Sequence, residues 1–148
     1  MYKKILIPLD GSKRAEAILP HVEELAQKYE SELVFMEVVT PIYYVLDPQM
    51  TFAKINVEET QWQLENAQEY LEKVKERFAQ KKLQGKVRVE QGPVVEAIIA
   101  VAEEEDVDLI AIASHGRSGL AQVFYGSVAA GVLQRVDRPL LLIRAQNG

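Results

Sequence analysis

The sequence predicts an α/β protein, an open parallel sheet with helices on both faces. Three observations carry this prediction. First, five short apolar runs are separated by helical patterns, and such alternation requires right-handed crossovers between parallel strands. Second, most of these runs are continuously apolar, as in Leu109 to Ala113, which suits strands buried on both faces. Third, two of them end in glycine-bearing loops, Asp10-Gly11-Ser12 and Ser114-His115-Gly116-Arg117-Ser118-Gly119. Open sheets of this kind hold ligands beyond the carboxyl ends of their strands, where the strand order reverses.

The first strand reads Ile5-Leu6-Ile7-Pro8-Leu9. Ser12 can cap a helix reaching about Tyr29, with Ile18, Val22, Leu25 and Ala26 on one face. Pro20 falls inside that span and should kink it or remove a hydrogen bond. The second strand runs from Leu33 to Val39. Residues 41–53 (PIYYVLDPQMTFA) form the one irregular insertion. Its prolines and aspartate predict a loop, and Tyr43, Tyr44 and Phe52 make it sticky: it packs over its own domain or serves as a lid or partner surface. The longest helix should run from about Val57 to Lys81, with Leu64, Ala67, Leu71, Val74 and Phe78 repeating at helical spacing. Val87 to Glu90 alternates like an edge strand. A third helix starts near Pro93 or Val94, with Ala97, Ile98, Val101 and Ala102 inward. It ends in the acidic run Glu103-Glu104-Glu105-Asp106, read as a solvated turn. The fourth strand is Leu109 to Ala113. The fourth helix spans Ser127 to Arg135 with Val128, Val132 and Leu133 apolar, and Pro139 to Ile143 makes the fifth strand.

A chain of 148 residues is read as a single domain, 1–148, large enough for a real core. A net charge of −5 gives no support for nucleic acid or an anionic membrane as partner. The absence of cysteine excludes disulfides and thiolate metal sites. The apolar run before Asp10 is too short for a signal-peptide core, and no run approaches a transmembrane length. The expected location is therefore the cytoplasm.

The functional signal concentrates between Asp108 and Val128. Nine residues after Gly116 comes Gly126-Ser127, at the head of a helix. Glycines let the backbone approach a ligand or take positive φ, and helix-start N–H groups bind anions. Strand, glycine loop and Gly-Ser helix start are the parts of a phosphate cradle and point to a nucleotide. Each part also has a plainer use. Asp10-Gly11-Ser12 is equally a turn and cap, His115 a loop residue, Arg117 a surface charge, and Gly126-Ser127 an ordinary helix start. His115 and His21 make a poor metal set. The P-loop and G-x-G-x-x-G fingerprints are absent.

On these residues the sequence resembles the universal stress protein family. The family's nucleotide motif is Gly, two residues, Gly, nine residues, Gly, then Ser or Thr. Here it reads Ala113, Ser114-His115, Gly116, nine residues, Gly126, Ser127. The opening KKILIPLDGS, the turn Gln91-Gly92-Pro93 and the ending Asp137 to Ile143 match as well, so the resemblance spans nearly the whole chain and is weakest over 41–60. It implies a Rossmann-like, adenine nucleotide alpha hydrolase-like sheet of order 3-2-1-4-5. It also implies ATP, with Mg2+ bridging the phosphates, lying across strands one and four. Carried over by position, Pro8, Leu9 and Asp10 line the adenosine end, and the Val38 backbone meets the adenine edge. Ala113, Ser114, His115, Gly116, Arg117, Ser118 and Gly119 wrap ribose and phosphates, and Gly126, Ser127 and Val128 present N–H groups. Ala113 departs from the motif's first glycine. As the last residue of a strand it should hold an extended backbone, where alanine is unstrained.

The resemblance implies an ATP-binding regulatory or interaction module in the stress response. Two other readings stand beside it: a slow ATPase, and a member that binds no nucleotide and works through protein contacts. It also implies a homodimer through the edge strand Leu140 to Arg144, because an exposed apolar edge invites pairing.

Overall fold

The computed structural model describes residues 1–40, 52–114 and 126–145. The elements are β1 (Lys4–Pro8), a 3-10 turn (Ala15–Ile18), α1 (Leu19–Tyr29), β2 (Glu32–Val39), α2 (Phe52–Ala79), β3 (Gly85–Gln91), α3 (Val94–Glu104), β4 (Leu109–Ser114), α4 (Ser127–Arg135) and β5 (Leu140–Arg144). The sheet is five-stranded and ordered β3-β2-β1-β4-β5. Every neighbouring pair is parallel. The expected α/β class and strand order are both present.

Alternate residues of a strand face opposite sides of a sheet, and both sides here are apolar. On one side Ile5 and Ile7 of β1, Leu33 and Phe35 of β2, and Leu109 and Ala111 of β4 meet Ile18, Val22 and Ala26, together with Leu71, Val74 and Phe78 of α2. On the other, Leu6, Val34, Met36 and Ile110 meet Ile98, Val101 and Ala102 of α3 and Val132 of α4. Burying side chains of this size contributes roughly 1.5–3 kcal/mol each. Gly85 serves this packing: a Cβ there would stand 2.8 Å from the Phe35 ring, which instead reaches Phe78 at 5.1 Å between centroids.

Four expectations need correction. Pro20 does not kink α1. The helix proper starts at Leu19, so Pro20 occupies its first turn, where a missing N–H costs nothing. The long helix starts earlier than expected, at Phe52. Phe52 and Ala53 thus belong to α2 rather than to a loop, since no Gly or Pro follows Pro48 to interrupt it; residues 41–51 lie outside the described residues. On α4, Leu133 is half exposed and Ala129 is buried instead, because the buried stripe runs through Ala129 and Val132.

The fourth correction concerns the acidic run. Glu103, Glu104 and Asp106 are exposed, but the Glu105 side chain is only 9% exposed. It accepts hydrogen bonds from Lys4 Nζ at 3.2 Å, Lys86 Nζ at 3.1 Å and Arg88 at 3.1 Å. It therefore joins the starts of β1 and β3 to the end of α3. Beside it the Asp108 carboxylate accepts the Lys3 and Lys4 N–H groups at 2.8 and 3.0 Å. Burial alone would push the Glu105 carboxyl up, but its bonds to Lys86, Lys4 and Arg88 outweigh burial and hold it at about 2, against an ordinary 4.5.

A carboxyl depressed on folding stabilises above its unfolded pKa, and that stability is lost as pH falls toward the folded value. Denaturant titrations of wild type should therefore show stability declining from about pH 4.5 to about pH 2. Glu105→Gln should be less stable at neutral pH and show a shallower decline across that window. Equal slopes for the two proteins would contradict the network.

Candidate functional site

β1 and β4 are neighbours, with Ile5 opposite Leu109 and Leu6 opposite Ile110. The helices that follow them pack on opposite faces, α1 on one and α4 on the other. A crevice therefore opens beyond their carboxyl ends, at the point where the strand order reverses. Its lining includes Pro8, Leu9, Asp10, Arg14, Met36, Val38, Ile112, Ala113, Ser114, Gly126, Ser127, Val128 and Ala129.

The β1 side is a tight polar turn. Gly11 sits at φ +85°, a conformation that glycine adopts without cost. Asp10 Oδ1 accepts the Ser12 N–H at 2.9 Å and the Ser12 hydroxyl at 2.6 Å. Its Oδ2 accepts the Arg14 guanidinium at 3.0 Å. Ser12 Oγ accepts the Ala15 N–H at 3.1 Å, so Ser12 does act as a cap, for the 3-10 turn rather than for α1. Burial would raise the Asp10 carboxyl, but the Ser12 bonds and the Arg14 charge prevail and hold it below its usual range. Asp10 stays ionised, with a cation already beside it.

The β4 side supplies backbone donors and one orphan hydroxyl. Ser114 is 1% exposed, and its Oγ has no hydrogen-bond partner among the described residues. Buried polar groups are nearly always paired, so this hydroxyl beside the crevice is an exception among the described residues. Gly126 precedes α4 with φ 83° and ψ 152°, a region essentially closed to residues with a Cβ. Its carbonyl accepts the Ala130 N–H at 3.0 Å. The first N–H groups of α4 have no intrahelical acceptor, Gly126 at the N-cap has no side chain to cap them, and the helix dipole adds partial positive charge. Ala113 lies in β4 opposite Ile143 and is not among the positive-φ residues. Alanine is therefore unstrained where the family motif has glycine.

The end of β2 forms the third wall. β1 stops at Pro8, opposite Met36, and Leu9 N–H still reaches the Met36 carbonyl at 2.8 Å. Peptide groups alternate sides along a strand, so those of Val38 point the same way as those of Met36, past the end of β1. The Val38 N–H finds no acceptor on Leu9 among the described residues. Val38 thus offers a donor and an acceptor side by side. Adjacent Glu37 faces a second hollow with Trp62, Asn66 and Tyr70. Burial, then the Asp10 charge, pushes its carboxyl up to about 6.

Of the residues expected at the site, Pro8, Leu9, Asp10, Val38, Ala113, Ser114, Gly126, Ser127 and Val128 line this one crevice. His115, Gly116, Arg117, Ser118 and Gly119 lie outside the described residues. The sequence reading missed Arg14, Met36, Ile112 and Ala129, which also line it. Arg14 was detectable as the cation four positions after Asp10; Met36 and Ile112 read only as strand core, and Ala129 carried no signal of its own.

These features define an open α/β protein whose crevice, at the reversal of strand order, presents backbone groups and a helix start. A family model described as the universal stress protein family matches residues 1–144, and the chain belongs to that family. Universal stress protein MJ0577 of Methanocaldococcus jannaschii is 30% identical over 99% of this chain and 98% of its own length. A solved structure of MJ0577 superposes with a TM-score of 0.84 at 28% identity, over 100% of this chain and 99% of that one. Two further solved structures share the fold. One is a universal stress protein in complex with cAMP, with TM-score 0.64 and 20% identity over 98% of both chains. The other comes from Archaeoglobus fulgidus in complex with dAMP, with TM-score 0.57 and 19% identity over 96% of this chain and 98% of that one.

Because the Ser114 hydroxyl is buried without a partner, Ser114→Ala should leave the ligand-free protein at least as stable as wild type, by up to about 1 kcal/mol. Chemical denaturation measures this. A loss of similar size would mean that the hydroxyl is already satisfied.

Proposed function

We propose that this chain, as one domain over residues 1–148, binds ATP and acts as a nucleotide-dependent regulatory or interaction module in a cytoplasmic stress response. The carrying observation is the α4 start. Gly126 at φ 83° clears the approach to uncapped helix N–H groups, and this end of the crevice also holds the unpaired Ser114 hydroxyl. A phosphate would satisfy the helix start. The paired donor and acceptor of Val38 suit the edge of an adenine, and Pro8, Leu9 and Met36 supply an apolar floor. The relatives in complex with cAMP and dAMP support an adenine nucleotide.

Magnesium would enter on the phosphates. Among the described residues no group of three or more His, Cys, Asp or Glu side chains could hold a metal, and Asp10 is engaged by Ser12 and Arg14. Magnesium commonly binds in this way, through substrate phosphates and water.

Mass spectrometry of nucleotide released on denaturing the purified protein tests the reading, together with calorimetry using magnesium-ATP. Wild type should carry or bind ATP. Gly126→Val should not, because its side chain enters the phosphate approach; the φ value adds a strain of roughly 1–3 kcal/mol, so folding is checked by circular dichroism. Ser127→Ala, which keeps the helix start, should weaken binding without abolishing it. Wild type that binds no nucleotide at millimolar concentration refutes the proposal.

We also propose a homodimer through β5. This edge strand is apolar from Leu140 to Ile143 and only partly covered, and an uncovered edge is a template for another strand. Light scattering at micromolar concentration should give a dimer that Leu141→Lys weakens. A wild-type monomer would exclude it.

A further inference from the structure

Arg14 belongs to no motif recognised in the sequence, yet it lines the same crevice as the α4 start. Its side chain is 20% exposed, so its position is largely set by the fold. One guanidinium nitrogen donates to Asp10 Oδ2 at 3.0 Å. A guanidinium carries five N–H donors in a planar fork, and among the described residues Arg14 makes no other hydrogen bond. Asp10 is itself fixed by the Ser12 amide and hydroxyl. The chain Ser12–Asp10–Arg14 therefore holds a cation at the crevice with most of its donors unspent. Its charge also offsets a carboxylate that would otherwise repel any anion placed there.

We infer that Arg14 is a specificity-determining residue of this site, contacting the anionic part of the bound nucleotide and making the crevice prefer phosphorylated adenosine over adenosine itself. This rests on the nucleotide-binding reading above and adds a residue and a selectivity to it. Two effects act in the same direction. The unspent N–H groups supply charge-assisted hydrogen bonds to phosphate oxygens, and the ion pair masks Asp10. Arg14→Gln removes both and leaves an unopposed carboxylate in the crevice. Lysine keeps the charge without the fork, so Arg14→Lys should recover part of the loss.

Calorimetry with adenosine, AMP and ATP on wild type, Arg14→Gln and Arg14→Lys tests this, with thermal melts confirming that the variants fold. For Arg14→Gln, ATP and AMP affinity should fall about ten- to a hundredfold, the range of a lost hydrogen bond to a charged group, while adenosine affinity stays within about twofold. Arg14→Lys should lie between. Equal losses for adenosine and ATP would overturn the inference, because Arg14 would then merely brace the Asp10 turn. No loss for any ligand would overturn it too, while leaving the nucleotide reading intact. Wild type that binds none of the three ligands would remove both.

Discussion

A parallel sheet buried on both faces leaves the backbone of its inner strands no access to water except at their ends, and most of this molecule follows from that constraint. The ladder satisfies peptide groups between strands, and helices must cover each face. In this topology the ladder runs out at the carboxyl edge between β1 and β4, where the helices part. The Val38 peptide beyond the end of β1, the uncapped start of α4 and the buried Ser114 hydroxyl all lie along this line. Among the described residues, several groups that the ladder leaves unsatisfied therefore gather at this one end.

The amino edge of the sheet is treated in the opposite way. There Glu105 pairs with Lys4, Lys86 and Arg88, and Asp108 accepts the backbone N–H groups of Lys3 and Lys4. With that edge closed by charge and the carboxyl edge left open, the sheet is polarised from end to end. At the open end Arg14 offsets the Asp10 carboxylate and the helix dipole of α4 adds partial positive charge, although the chain as a whole carries −5. Local arrangement rather than net charge governs what the crevice attracts.

The fold was almost wholly legible in the sequence, because continuous apolar runs and helical periodicity are direct consequences of two-sided burial. The departures have equally specific causes. Pro20 has the same sequence signature whether it sits in a helix interior or in a first turn; only the 3-10 segment before Leu19 decides. Leu133 matched a helical period but lies one step off the stripe set by Ala129 and Val132. Glu105 looked like its exposed neighbours because its three basic partners are distant in sequence. At the site, glycines and the strand-end aspartate were legible since turns and helix starts are local. That Arg14 would meet the α4 start in one crevice, and that the Ser114 hydroxyl would be left without a partner, was not, because both depend on which strands become neighbours.

The same placement bears on whether such a site would turn over its ligand. Hydrolysis needs a group that positions and deprotonates water near the phosphate, and a useful base holds its pKa near working pH. Asp10 is held below its usual range and has both oxygens engaged. Glu37, raised to about 6, has the more suitable basicity but faces the hollow on the α2 side with Trp62 and Tyr70. The carboxylate nearer the right pKa is thus turned away from the α4 start, and the one in the crevice is a structural anion. Among the described residues, then, the carboxylate that lines the crevice is tied to Ser12 and Arg14, and the more basic one lies on the other side of the sheet.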